Sequence, residues 1–161
     1  MSESAPSPFE LSRLYFHFAR EAGRKRMTTR YGIVTDLVSA AWCRETASPA
    51  NQEAWSDSNR ALGQCAVTAL VVQDLMGGTI MRTEVPGFGS HYSNLLPNGE
   101  DVYPLDLTKG QFPRGTVIPR GVTVERDRIL VGERAAAARS PERYELLRQR
   151  VAELMRNAAD F

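Results

Sequence analysis

Residues 63–78 read GQCAVTALVVQDLMGG, an apolar block between a leading glycine and a closing glycine pair. This pattern predicts a short buried helix with Gly77 or Gly78 as its C-terminal cap. Cys65 then lies in the first turn, where unpaired backbone N–H groups and the helix dipole favour a thiolate over a thiol. A nucleophilic cysteine needs that environment, but a cysteine among small apolar residues is also common core filler.

The composition predicts one cytoplasmic domain over residues 9–161. The 161 residues suffice for a core, and 20 basic residues nearly balance 19 acidic ones, so strong attraction to nucleic acid or a membrane surface is not expected. Residues 1–8 are polar and proline-bearing, lack the pattern of a signal peptide, and are expected to form a disordered tail. Cys43 and Cys65 are expected to stay reduced.

Three further helices are expected around the central one. They run from Phe9 to about Arg26, from Tyr31 to Arg44, and from Ser140, as a capping residue, to about Asn157. The first helix is predicted to have an aromatic inner side that includes a packed, non-catalytic His17. The basic run from Arg20 to Arg30 is interpreted as a solvated helix end; nucleic-acid binding there is an alternative that rests on charge alone.

The middle of the chain predicts a small antiparallel sheet. Alternating apolar residues and turn signals indicate strands at 79–85, 90–96, 101–107 and 122–124. Asn98-Gly99 predicts a tight type I′ turn, and Pro104 places its strand at an edge, since proline cannot donate to a ladder. The fold class is therefore α+β, with N-terminal helices packed on the sheet and a C-terminal helix.

The hairpin permits a geometric prediction. A symmetric two-residue turn at Asn98-Gly99 places His91 directly opposite Asp106, with β-carbons about 5 Å apart. With Cys65, these residues provide a nucleophile, a general base and acid, and a carboxylate that orients the imidazole. The alternative interpretation of His91 and Asp106 is a structural cross-strand pair.

Three further residues are candidates for supporting roles. The oxyanion is expected to bind the Cys65 backbone N–H with a second donor from Gln64 or, as the second candidate, Asn94. Trp55 is a candidate cleft wall, or else an anchor for its own loop.

A zinc site is a weaker interpretation of the cysteine, histidine and aspartate, because the sequence has no Cys-x-x-Cys and no paired histidines. No metal or cofactor is expected.

Three motifs carry a family resemblance: GQCAVTAL at 63–70, GSHYSN at 89–94 and DLT at 106–108. Together they resemble the bacterial YunG-like family over roughly residues 60–112. The order of cysteine, histidine and aspartate also resembles the papain-like and transglutaminase-like superfamily, which implies that type of α+β arrangement. One departure is that papain-type enzymes carry an oxyanion glutamine several residues before the cysteine, whereas Gln64 is adjacent to it.

The expected function is that of a thiol hydrolase or acyltransferase with a Cys65-His91-Asp106 triad. It would form a thioester on an amide, isopeptide or ester, as a peptidase, deamidase or transglutaminase-like enzyme. The substrate would be a protein, a peptide or another acyl compound. The alternative is a non-catalytic binding module for a small molecule or peptide that retains the fold and keeps Cys65 in the core.

Overall fold

The computed structural model describes residues 4–26 and 29–157, with backbone alone for residues 23–26. These ranges contain six α-helices and a four-stranded antiparallel sheet. The helices are α1 (Pro8–Arg26), α2 (Arg30–Ala41), α3 (Cys65–Met76), α4 (Asp127–Leu130), α5 (Glu133–Ala137) and α6 (Ser140–Arg156). The strands are β1 (Thr79–Val85), β2 (Gly89–Asn98), β3 (Asp101–Leu105) and β4 (Val122–Val124). The predicted α+β class is confirmed.

Helix α3 is the centre of the hydrophobic core. Val67, Leu70 and Val71 have no solvent exposure. The helix packs on β1 and β2 and also against α1, α2 and α6, so it connects the sheet to the helical layer. It ends at Met76 with Gly77 as the C-cap, as the closing glycine pair predicts. None of the helices in the described ranges is long and apolar enough to cross a membrane.

The inner face of α1 differs from the predicted one. Leu11, Tyr15 and Phe18 are buried at helical spacing, whereas Phe16 and His17 are exposed. Phe18 of the predicted aromatic inner side is buried, but the prediction of a packed His17 was wrong, because the 3.6-residue period and not aromatic content decides which face meets the core. The side chains of 24–26, part of the predicted basic run, lie outside the described residues.

The helix ends also differ in detail from the predictions. Ser7 caps α1 through a hydrogen bond from the Glu10 N–H (3.3 Å), so this helix begins at Pro8, and Pro6 before it is buried. Residues 1–3 of the predicted tail lie outside the described residues. Helix α2 ends at Ala41, which leaves Cys43 in the following turn. Ser140 is the first residue of α6 rather than its cap; Arg139 precedes it with a φ of 50° and no side-chain cap.

The strand order is β3-β2-β1-β4, with every neighbouring pair antiparallel. Strand β3 is at an edge, as Pro104 predicts, and the predicted short strand at 122–124 pairs with β1. The turn between β2 and β3, however, is centred on Gly99 and Glu100, because Asn98 pairs with Asp101.

The predicted register of His91 opposite Asp106 is therefore wrong. Gly99 has a φ of 64°, so it supplies positive φ at the first central position of the turn. Moving the turn by one residue changes the partner of every residue by two positions. The last β2–β3 pair is Asn94 with Leu105, and Asp106 lies just beyond the ladder.

A buried polar network attaches α6 and α4 to the central helix. The Tyr144 hydroxyl donates to the carboxylate of Asp74 on α3, and Arg126, just before α4, forms an ion pair with the same carboxylate (3.0 Å). Arg126 also donates to the Tyr144 oxygen (2.6 Å). These contacts join α3, α6 and the residue that precedes α4.

The segment after β3 returns to the sheet at β4, where Gly121 lies against the backbone of β1. A β-carbon added at Gly121 would overlap the Arg82 carbonyl, so the close approach requires glycine. Thr83 on β1 also donates to the Pro119 carbonyl (3.0 Å). The backbone of residues 119–121 is thus fixed on β1.

We predict that Gly121→Ala lowers the free energy of unfolding by about 1–3 kcal/mol, because the backbone of β1 has to move away. Gly110→Ala is the matched control: its added β-carbon meets nothing within 4 Å, so a change within about 0.5 kcal/mol is expected. Urea unfolding followed by circular dichroism measures both. Equal effects of the two substitutions would contradict the close approach.

Candidate active site

Cys65 is the first residue of α3, at the point where the core helix reaches the surface. No side chain caps this helix start, so the N–H groups of its first turn remain available to an anionic group. The Cys65 side chain is half-buried and lines a pocket of about 220 Å³. The predicted position of the cysteine at a helix N-terminus is confirmed, and the residue is not simple core filler.

His91 lies on β2 with 1% of its surface exposed, and it contacts Asp106. The His91 Nε2 is 2.7 Å from the Asp106 Oδ2. The other carboxylate oxygen accepts the Thr108 backbone N–H (3.1 Å), a local turn that aspartate side chains favour. Because Asp106 follows the last paired residue of β3, this turn can aim its carboxylate at His91 without the predicted register.

The contact with Asp106 decides the role of each ring nitrogen. A carboxylate only accepts, so His91 Nε2 carries a proton and donates it. Nδ1 is left for Cys65 and for Gln111, whose Nε2 is 3.4 Å away. The Gln111 amide also donates to the Thr108 carbonyl (3.1 Å), which fixes its position over the ring.

The surroundings of His91 favour its protonated form. Burial alone lowers the pKa of His91, but the hydrogen bond to Asp106, the hydrogen bond to Cys65 and the charges of both partners outweigh it and raise the pKa to about 9. At neutral pH the ring is then an imidazolium between a carboxylate and the cysteine sulfur. Because Cys65 contributes to this shift, it is a near neighbour of the imidazole.

Aromatic side chains from the connecting loops shield the imidazole from water. The Phe112 ring packs edge-on against His91 with centroids 4.9 Å apart, and Phe88 packs on Phe112 at 5.1 Å. Phe88 and Phe112 both line the pocket. The segment after β3 thus contributes Gln111 and Phe112 to the pocket lining.

Arg143 of α6 brings a buried cation to the pocket. Its side chain is 5% exposed and donates to three backbone carbonyls, those of Thr46, Gly63 and Ala138, at 2.9–3.0 Å. Burial lowers the pKa of Arg143 to about 10, and the electrostatic interaction with Cys65 opposes this shift. The guanidinium is therefore close enough to Cys65 to stabilise negative charge there.

The three candidates for supporting roles make hydrogen bonds to backbone carbonyls. The Gln64 amide donates to the Cys43 carbonyl (2.9 Å), and its Oε1 is buried without a partner in the described ranges. Asn94 donates to the Ala69 carbonyl (2.9 Å) and so braces α3. The Trp55 indole donates to the Arg60 carbonyl (2.8 Å); Trp55 anchors its loop and is not among the residues that line the pocket.

The sequence interpretation missed Gln111 and Arg143. Gln111 had no signal, since it lies in an irregular loop. Arg143 had one: it precedes Leu147 and Val151 by one and two four-residue steps, which places it on the buried face of α6. A basic residue at a core position usually has a specific partner.

The residues at the site are poorly arranged for a metal ion. In the part of the chain that the structure describes, no group of three or more histidine, cysteine, aspartate or glutamate side chains could hold one. Asp106 already contacts one of the two nitrogens of His91, at 2.7 Å.

The fold and the site define an α+β protein in which a histidine paired with an aspartate lies near a cysteine on the wall of a pocket. A family model described as YunG protein matches residues 31–156, so the chain belongs to the YunG family. The chain is 38% identical over 76 residues to the uncharacterized protein YunG of Bacillus subtilis (strain 168), a match that covers 47% of this chain and 57% of the relative. This chain thus spans little more than half the length of that relative. No solved structure matches the chain.

We predict that Asp106→Asn removes a pH-dependent part of the stability. The raised pKa of His91 stabilises the folded state below the ordinary value of about 6.5, and the stabilisation is lost as pH rises through about 9. The free energy of unfolding of wild type should exceed that of Asp106→Asn by up to about 3 kcal/mol more at pH 6 than at pH 9.5. Urea unfolding across this range measures it. Asp57→Asn, which removes a surface ion pair, is the control, and a flat difference for Asp106→Asn would contradict the pairing.

Proposed function

We propose that this protein is a cysteine-dependent hydrolase or acyltransferase that acts through a thioester on an amide, isopeptide or ester. One observation carries the proposal: His91 is hydrogen-bonded to Asp106 and is a near neighbour of Cys65, which lies at an uncapped helix start on the wall of a pocket. The order of the three residues along the chain further supports a papain-like or transglutaminase-like relationship. Both cysteines are free, which supports work in a reducing, cytoplasmic compartment.

The chemistry follows from the charges at the site. The Cys65 sulfur attacks the carbonyl carbon, and a C–S bond forms while electrons move onto the carbonyl oxygen. The tetrahedral intermediate collapses, the C–N or C–O bond breaks, and the His91 Nδ1 proton goes to the leaving group. Water or an amine then attacks the thioester, gives its proton to His91, and Cys65 leaves as a thiolate.

The oxyanion would form at the first turn of α3. The backbone N–H of Cys65 is the first donor. Gln64 stays a predicted second donor, although one of its amide N–H groups already binds the Cys43 carbonyl. Gln111 is a further candidate, because a protonated Nδ1 cannot accept a hydrogen bond and would release the Gln111 N–H that faces it.

A non-catalytic binding module is the competing proposal. It would need no reactive thiol, and its Cys65 would behave as a small apolar residue. The half-buried position of Cys65 on the pocket wall and the raised pKa of His91 both favour the enzyme. Cysteine reactivity therefore separates the two proposals.

We predict that Cys65 reacts with iodoacetamide at pH 6 at least about tenfold faster in the Cys43→Ser protein than in the Cys43→Ser/His91→Ala protein. The reason is that imidazolium at residue 91 stabilises the thiolate, whereas an ordinary thiol ionises near pH 8.5. Peptide mass spectrometry of residue 65 as a function of time and pH measures both rates.

The matched control for this experiment is His17→Ala, which removes the exposed histidine of α1 and should leave the rate unchanged. If Cys65 is inert, or if its pH profile is that of an ordinary thiol in both proteins, the enzyme proposal fails. The binding-module proposal would then replace it.

A further inference from the structure

The pocket beside Cys65 is lined by three arginines, Arg128, Arg134 and Arg143, and by no acidic residue among the described side chains. The whole chain has a net charge of only +1, so this positive charge is local. Clefts lined by charge of one sign concentrate ligands of the opposite sign. The first turn of α3 adds its own partial positive charge to the same pocket.

Arg143 forms the buried end of this cationic group. Its hydrogen bonds to three carbonyls use three of the five N–H groups of a guanidinium. None of the carboxylates in the described ranges lies within ion-pair distance of it. A buried cation normally has an anionic partner, because burial without one is costly. The charge of Arg143 therefore acts on Cys65 and on any anion that enters the pocket.

Arg128 and Arg134 form the outer end of the group. Arg128 lies on α4 and Arg134 on α5, and both side chains are exposed at the pocket. Neither is paired with a carboxylate of the described residues. Because guanidinium groups present a planar fork of donors, two of them beside one opening are suited to carboxylate or phosphate oxygens.

Another part of the pocket lining has a different chemistry. Phe88 is 53% exposed and packs on Phe112 at the pocket, so this part is apolar and aromatic. At about 220 Å³ the pocket is smaller than the roughly 300–1,000 Å³ of ordinary ligand sites. It has room for one short acyl group or side chain rather than for a large ligand.

We propose that the substrate carries an anionic group, a carboxylate or a phosphate, next to the acyl carbon, and that Arg128 and Arg134 bind this group above Arg143. The acyl part of this inference rests on the proposed function, whereas the anion site does not depend on a reactive cysteine. The arginines would hold the carbonyl carbon over Cys65 and would exclude neutral acyl groups of similar size.

A pair of alkylating reagents tests the charge preference directly. Iodoacetate and iodoacetamide have the same leaving group and similar size, but only iodoacetate is anionic. An ordinary thiolate repels iodoacetate and reacts more slowly with it. In the Cys43→Ser protein we expect Cys65 to react with iodoacetate at least as fast as with iodoacetamide at low salt. The ratio of the iodoacetate rate to the iodoacetamide rate should fall as salt is added.

Substitutions identify the source of the preference. Arg128→Gln/Arg134→Gln should lower the ratio of the two rates by about fivefold at low salt. Arg13→Gln/Arg20→Gln is the matched control: it removes the same net charge from exposed positions on α1 and should leave the ratio unchanged. An equal ratio in wild type and in Arg128→Gln/Arg134→Gln would overturn the anion site.

A second measurement does not depend on thiol reactivity. In the Cys65→Ser protein, millimolar inorganic phosphate or succinate should raise the midpoint of thermal unfolding, and Arg128→Gln/Arg134→Gln should abolish the rise. A larger effect of phosphate indicates a phosphate-bearing substrate, and a larger effect of succinate indicates a carboxylate. If neither anion stabilises the protein, the inference fails. If Cys65 is inert but the anions still stabilise, the proposed function fails and the anion site stands.

Discussion

The hydrogen bond between His91 and Asp106 is the interaction on which the site depends. His91 has almost no contact with solvent, and burial opposes a charge on its ring. The carboxylate, at 2.7 Å, is the largest of the contributions from Asp106 and Cys65 that together reverse that preference. It also fixes which nitrogen faces Asp106 and therefore which faces Cys65. Without this bond the ring would be a neutral core residue, and a cysteine beside it would lack a proton donor.

The core explains how Cys65 comes to the ring. Helix α3 is buried along its body. Because protein interiors are close-packed, the packing of Val67, Leu70 and Val71 fixes the position of the helix. Its first residue emerges beside β2, the strand that carries His91. The cation of Arg143 comes from α6, whose next residue, Tyr144, is tied to α3 through Asp74. Stability and site geometry therefore share the same contacts.

Several parts of this structure could be predicted from sequence because each has a local cause. The glycine pair predicted the end of α3, and Pro104 predicted an edge strand. The closeness of His91 and Asp106 was predicted for the wrong reason, since the turn begins at Gly99 and the pairing register differs. The contact exists because Asp106 is free of the ladder and turns through Thr108, a tertiary detail that hairpin rules do not contain.

Other parts of the structure have no local sequence pattern that predicts them. Gln111, Arg128 and Arg134 come from loops and short helices whose positions depend on the packing of the whole chain. The face of α1 was misjudged because its aromatic residues are spread around the helix, and only the period selects Leu11, Tyr15 and Phe18. The position of Arg143 could be predicted, since it recurs with Leu147 and Val151 at four-residue spacing and so lies on the buried face of α6. A buried cation needs partners that compensate its charge.

The protonation of His91 is the property from which the proposed chemistry follows, and nitrogen NMR of the imidazole measures it directly. In protein labelled with nitrogen-15, with His17 replaced by glutamine, both ring nitrogens of His91 should have imidazolium chemical shifts at pH 7.5 and should titrate near pH 9. Replacing Asp106 with asparagine should return them to neutral shifts at pH 7.5. A neutral wild-type ring at this pH, with an ordinary titration near pH 6.5, would contradict the proposed ion pair.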